Sequence, residues 1–193
     1  MSRLGIGLGR AGSEGLDHLL DRARTEDVTY SHPGSTLTHA PAGTAEHTFT
    51  LAVHGEVADA AAALRRWATH DGLGARVLPE GSDPAVGDTV LVVLPFGPAE
   101  MVVANRIVAV LDESDRCGIA YGTLPGHPES GEELFLAEST GDHRLRLTIR
   151  IHARPASAVL RILGPVVSRI QAAAARRYLA SWERAIDTAG RHR

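Results

Sequence analysis

Tyr121, His127 and the adjacent pair Glu132-Glu133 sit close together in a stretch interrupted by Pro125-Gly126 and Gly131. They are the residues of this chain best suited to proton transfer. An imidazole titrates near neutral pH and can polarise or deprotonate a bound molecule. A tyrosine hydroxyl offers one polar handle in an otherwise apolar wall. Neighbouring residues on a strand face opposite ways, so at most one of Glu132 and Glu133 reaches a given site. The two cannot act as a facing glycosidase pair, which needs both carboxylates to converge on one bond. The plainer reading of the same stretch is an ordered hairpin, with Pro125-Gly126 forming a type II turn.

Other candidates carry less chemistry. Gly7-Leu8-Gly9-Arg10-Ala11-Gly12 matches the dinucleotide fingerprint letter for letter. That motif needs a preceding strand, a following helix and a returning parallel strand, and the sequence supplies no such frame. Ala11 to Gly15 likewise imitates a nucleophile elbow without its strand, and Ser13 reads better as a helix cap. Ten histidines are present, yet none lies in a His-Glu-x-x-His pattern, and no metal or other cofactor is expected. Cys117, the one cysteine, reads as a small packed side chain. It also excludes a disulfide within the chain and a cysteine zinc cage.

The composition bounds the function further. The 193 residues amount to about one domain, and the net charge of −3 argues against a general nucleic-acid or anionic-membrane binder. All 20 basic residues are arginine, so Schiff-base chemistry on lysine is excluded. No apolar run is long enough to cross a bilayer, and Met1 to Arg10 does not read as a secretory signal. A soluble cytoplasmic protein is the expectation.

The elements that would hold these residues follow from periodicity. Ser13 to Arg24 predicts a helix with Leu16, Leu19, Leu20 and Ala23 on one stripe. Thr25 to Thr44 has no period and reads as an irregular arm over the surface. His47 to Val53 alternates as a strand, and Glu56 to His70 predicts a second helix. Strands are predicted over Thr89 to Leu94, Met101 to Leu111, Gly118 to Thr123, Glu133 to Glu138 and Arg144 to Ala153. In the last, Leu145, Leu147, Ile149 and Ile151 face one way. Arg144, Arg146, Arg150 and His152 face the other, which predicts a dry and a wet sheet face. After a short prelude, Ala156 to Leu163, a long helix is predicted from Pro165 to Ala189, with Val166, Ile170, Ala173, Ala174, Tyr178 and Trp182 on its stripe. Consecutive antiparallel strands with helices set apart give an α+β class.

A long helix laid over a curved antiparallel sheet encloses either a packed core or an apolar pocket. The small Ala173 and Ala174 on the helix stripe leave room. Walls for such a pocket would come from Trp67, Thr123, Phe135, Leu147, Ile149, Ile170, Ala174 and Tyr178.

The stretch Gly118-Ile119-Ala120-Tyr121-Gly122-Thr123-Leu124-Pro125-Gly126-His127-Pro128-Glu129-Ser130-Gly131-Glu132-Glu133 resembles the signature of an uncharacterised bacterial and plant family. That family, a domain of unknown function, is grouped with the helix-grip START/polyketide-cyclase-like (SRPBCC) superfamily. Leu16-Asp17-His18-Leu19-Leu20, Val28-Thr29-Tyr30, Trp67 with His70, Gly164-Pro165-Val166-Val167 and Arg177-Tyr178-Leu179 agree with it. The loop after the first helix departs: family members usually read Thr-Tyr-Pro-Glu-Val-Gly, and this chain reads Thr29-Tyr30-Ser31-His32-Pro33-Gly34. The resemblance implies a helix-grip fold, a curved antiparallel sheet wrapped around a long C-terminal helix. The expected division is an N-terminal helix and arm over 1–45 and a helix-grip domain over 46–189.

The leading expectation is therefore a protein that binds a hydrophobic, lipid- or polyketide-like small molecule between sheet and helix. The alternative is a cofactor-independent cyclase, isomerase or dehydratase, with Tyr121, His127, and Glu132 or Glu133 as acid–base groups. A third is a binding module that uses the arginine-rich sheet face.

Overall fold

Runs of apolar and β-branched residues between Ala45 and Pro155 form seven strands in the computed structural model, which describes residues 12–156 and 164–191 and the side chains of all but 164–168 among them. The strands are β1 (Ala45–His54), β2 (Arg76–Leu78), β3 (Thr89–Phe96), β4 (Ala99–Asp112), β5 (Arg116–Thr123), β6 (Glu129–Gly141) and β7 (Arg144–Pro155). They form one antiparallel sheet in the order β1-β7-β6-β5-β4-β3-β2. From β2 onward each strand pairs with the next in sequence, and β1 closes the sheet against β7. At the β6–β7 turn Asp142 and His143 both take positive φ, 48° and 56°. That conformation matches the twist of a two-residue hairpin.

Three α-helices accompany the sheet: α1 (Ser13–Arg24), α2 (Val57–Arg65) and α3 (Gly164–Gly190). The inner face of the sheet packs against α2 and α3. Val90 and Val92 of β3, Ile119 of β5, Phe135 of β6 and Leu145, Leu147 and Ile149 of β7 share one core with Leu64, Tyr178, Trp182 and Ile186. Trp182 is wholly buried, and its indole N–H donates to the Ala60 carbonyl of α2 at 3.1 Å. Ser181 donates to the Ala68 carbonyl at 2.8 Å. Gly72 makes the close approach possible, because a Cβ there would lie 2.3 Å from the Arg177 carbonyl oxygen of α3. The outer face is covered as well. Leu16, Leu20 and Ala23 of α1 pack on Leu91, Val93, Val102 and Ala104 of β3 and β4.

Several expectations need correction. The second helix stops at Arg65, because Trp67 adopts a left-handed φ of 59° and turns the chain into a 3₁₀ segment, His70–Leu73. This turn buries both Trp67 and His70 in the core. Gly12, not Ser13, occupies the cap position of α1, and no side chain caps it. The short edge strand β2 lies in a segment whose three residues are too few for a period to register. The outer side of β7 is not uniformly wet. Arg144 and Arg146 are exposed, but Thr148 and His152 are buried under the arm, and Arg150 donates to the Thr36 carbonyl at 2.7 Å. The helix stripe also differs: Ile170 is 64% exposed, and Ala175, Tyr178, Leu179, Trp182 and Ile186 form the buried face. Ala173 is exposed as well, so the packed face of α3 begins at Ala174. The glycine fingerprint over 7–12, the prelude over 156–163 and Val166 fall wholly or mostly outside the described residues and side chains.

Candidate functional site

Strand alternation decides which side chains of β5 and β6 meet. Tyr121 and Glu133 are directly opposite in the antiparallel register and share the inner face. Side chains so placed are near neighbours. The Tyr121 hydroxyl donates to Glu133 Oε2 at 2.7 Å. Its oxygen lies 3.3 Å from His70 Nε2, and Thr69 Oγ1 lies 2.9 Å from His70 Nδ1. With the tyrosine proton committed to Glu133, His70 donates from Nε2 and accepts the Thr69 hydroxyl at Nδ1. A continuous line of polar groups therefore crosses an aromatic cluster. In that cluster the His70 ring lies 5.0 Å from Tyr178, 5.5 Å from Phe135 and 5.3 Å from Trp67, centroid to centroid.

Burial sets the protonation states of this line. Desolvation pushes the Glu133 carboxyl up to about 7, opposed by the Tyr121 hydrogen bond and assisted by the Glu129 charge. Desolvation pushes His70 down to about 3, so it is a neutral imidazole near neutral pH. The Tyr121 hydroxyl is held well above its ordinary value by burial, then by the Glu133 charge and Tyr178. Glu133 nonetheless remains only half-buried. Its second oxygen, Oε1, accepts no hydrogen bond among the described residues, as the one bond to this carboxylate ends on Oε2. Toward the end of β6, Glu129 is also half-buried and accepts from Gln171 Nε2 of α3 at 2.6 Å. Burial raises the Glu129 carboxyl, and Gln171 opposes that rise.

Glu132 faces the other way. On the outer side of β6 it accepts from the Tyr30 hydroxyl at 2.7 Å, the Gly34 amide at 2.7 Å, the Thr36 amide at 2.9 Å and the Thr36 hydroxyl. All four donors belong to the arm, so this carboxylate is the arm's anchor. Gly122 leaves the room for it, since a Cβ there would meet Tyr30 Oη at 2.2 Å.

His127 stands apart from the Tyr121–Glu133 pair. Leu124 to His127 is a turn with Pro125 and a Gly126 φ of 96°, closed by the His127 amide on the Leu124 carbonyl at 3.2 Å. The geometry is that of a type II turn. His127 Nδ1 accepts the Glu129 amide at 3.0 Å, and burial pushes the ring down to about 4.

The residues expected to line a pocket divide in the same manner. Trp67, Phe135, Leu147, Ile149 and Tyr178 are buried on the inner face, and Ala174 is half-buried against the same core. Thr123 is engaged elsewhere, its hydroxyl lying 2.5 Å from that of Thr29 and accepting the Gly131 amide at 3.0 Å. Ile170 points to solvent. The middle of the helix–sheet space is thus filled by rings, and the half-buried polar groups gather at the Glu129–Gln171 end.

Three polar residues of the inner site escaped sequence reasoning. His70 stands in the sequence only as part of the family resemblance, with no site role, because the predicted helix runs through it and Thr69. Asn105 left one available sign, a lone amide in the β-branched run of β4. It is 1% exposed, and neither Oδ1 nor Nδ2 has a hydrogen-bond partner. Cys117 is buried, its thiol is pushed up to about 12 chiefly by desolvation, and its sulfur lies 3.6 Å from the Val57 carbonyl oxygen. It is no nucleophile in that state. No cluster of histidine, cysteine and carboxylate side chains suited to a metal ion occurs among the described residues. No helix among them is long and apolar enough to cross a membrane.

Residues 29–181 match the family described as "Domain of unknown function (DUF1990)". The chain belongs to that family. Within curated proteins, the DUF1990 chain is 36% identical over 96 residues to a UPF0548 protein of Deinococcus radiodurans, a match covering 46% of this chain and 48% of that protein. The matched segment thus spans about half the length of this relative. Among solved structures, the DUF1990 chain is similar to a START superfamily protein from Mycobacterium smegmatis, with a TM-score of 0.54 and 12% identity over 76% of this chain and 99% of that one. It is similar also to the di-domain ARO/CYC StfQ of the steffimycin biosynthetic pathway (TM-score 0.55, 16% identity, 76% of this chain and 52% of that one). A third is norcoclaurine synthase from Thalictrum flavum (TM-score 0.51, 12% identity, 83% and 95%). At such identities the likeness establishes the fold. The DUF1990 chain has the antiparallel sheet and long C-terminal helix of START and polyketide-cyclase-like proteins.

Proposed function

We propose that this DUF1990 protein binds a small, largely apolar organic molecule between the sheet and α3 at the half-buried Glu129–Gln171 end, beside the ring-filled middle, with one polar group of that molecule held at Glu133. The observation that carries this reading is Glu133 itself: half-buried, bonded through one oxygen to Tyr121, with the other oxygen free to meet a ligand. Asn105, whose amide is unpartnered on the same strand layer, supplies a second contact once a polar group is present. The sheet-and-helix fold shared with a START superfamily protein and a di-domain ARO/CYC supports this reading.

Acid–base turnover is a second reading, and one observation favours it. A carboxyl near 7 is populated in both forms at neutral pH and can take a proton from a bound molecule or return one. Tyr121, hydrogen-bonded between Glu133 and His70, would steady that exchange. In this reading the protein is a cofactor-independent cyclase, isomerase or dehydratase.

Native mass spectrometry of the purified protein tests the binding reading. A small organic molecule retained by the wild type and released on denaturation is expected, and Ala174→Trp, which fills the half-buried face of α3, should abolish it. Equal retention by both proteins would move the ligand elsewhere. Glu133→Gln separates the two readings, since it keeps the shape and an accepting oxygen but removes the titrating group: turnover should be abolished, whereas retention of the molecule should only weaken.

A further inference from the structure

The arm from Tyr30 to Thr44 does more than cover the outer sheet face. Between it and the ends of β6 and β7 lies a cavity of about 700 Å³, within the range of cavities that take small organic ligands. Its polar walls carry Arg154, the imidazoles of His32, His39 and His152, and the hydroxyls of Ser35 and Thr38, with no carboxylate among the lining residues. Pro33, Pro41 and Ala42 make an apolar side. His152 is 2% exposed, and its Nε2 has no hydrogen-bond partner. Two carboxylates act on it from outside the cavity lining: Glu46, half in solvent with an oxygen 3.7 Å from Nε2, and Glu132, its register partner on β6, which the arm's donors already occupy. Arg154 is exposed and forms no ion pair among the described residues.

We infer that this cavity is a second binding site, for a small organic molecule bearing an oxyanion, with Arg154 and His152 as its anion seat. A guanidinium gives charge-assisted, two-pronged hydrogen bonds to phosphate or carboxylate oxygens. His152 lines the same wall, with its Nδ1 edge 3.4 Å from Ser35 Oγ, which orients the ring. Burial lowers the pKa of this imidazole, opposed by the Glu46 charge. A bare ion would leave most of 700 Å³ unfilled, so the proline-lined side is assigned to the organic body. The Glu132 anchor holds the arm that forms this roof, and the site does not depend on the inner one.

The test is titration of the full chain with inorganic phosphate and, separately, phenyl phosphate, following the histidine ring signals by NMR. Saturable shifts at His152 are expected with both, tighter with phenyl phosphate. Arg154→Gln should weaken binding about tenfold or more, as expected for loss of one charged hydrogen bond. Arg146→Gln, on the same face but outside the cavity, should leave it unchanged. No saturable shift with either anion, or equal weakening by the two substitutions, overturns the site. Phosphate binding with no gain from the phenyl group overturns the organic ligand.

Discussion

Glu132 and Glu133 are neighbours in the chain and serve opposite faces of one sheet. The first is held by four donors of the arm, and the second meets Tyr121 in the interior. A strand that places consecutive side chains on opposite sides lets one dipeptide fasten the outer layer and furnish the inner site.

The anchor role predicts a stability effect. Glu132→Ala leaves the amides of Gly34 and Thr36 without their acceptor, and unfolding stability should fall by about 3 kcal/mol or more. Urea unfolding gives the size of the loss. Amide hydrogen exchange should accelerate at Gly34 and Thr36 while the β5–β6 ladder stays protected. Unchanged exchange in the arm would show that something else holds it.

Tyr121→Phe tests the interior pair. The Tyr121 hydrogen bond favours the ionised Glu133, so its removal should raise the carboxyl above about 7 and cost about 1–2 kcal/mol. A carboxyl that moves down instead contradicts the assigned donor direction.

Stability against pH carries a defined sign. The folded Glu133 carboxyl, at about 7, lies above its ordinary 4.5. Its contribution is therefore fully present below 4.5 and is lost as pH rises to 7. His70, at about 3 against 6.5, acts oppositely: its contribution is present above 6.5 and is lost as pH falls toward 3. The two overlap between 4.5 and 6.5, so the difference between wild type and Glu133→Gln is the clean observable. The variant should gain on the wild type as pH climbs from 4.5 to 7, by on the order of 2 kcal/mol after allowance for residual exposure. A difference that is flat across this window would be at odds with burial of the carboxyl.

The close approach of α3 gives a steric prediction. Gly72→Ala puts a Cβ onto the Arg177 carbonyl, and should lower stability by about 1–3 kcal/mol. Thermal unfolding measures it, and a neutral result would mean the helix has room to move away.

Much of this was legible in the sequence. The alternation of β7 and the stripe of α1 emerge from periodicity, and the opposite facing of Glu132 and Glu133 follows from strand geometry alone. The end of α2 was not legible, since Trp67 leaves the helix to bury its ring and that of His70, a choice made by tertiary packing. The outer side of β7 looks wet in the sequence because the arm that covers His152 has no periodicity to announce where it lies. His70 reached the site through the same hidden turn. Asn105 was visible only as an oddity in an apolar run, and its meaning required the register of β4 against β5.

The central claim is that a titratable carboxyl borders ligand space inside the fold. Its most direct test is the carboxyl ¹³C titration of Glu133, free and with an apolar phenol such as 2-naphthol. A midpoint of about 7 in the free protein, displaced when the phenol binds, is the predicted result. A midpoint at the ordinary 4.5, unmoved by the phenol, would contradict it.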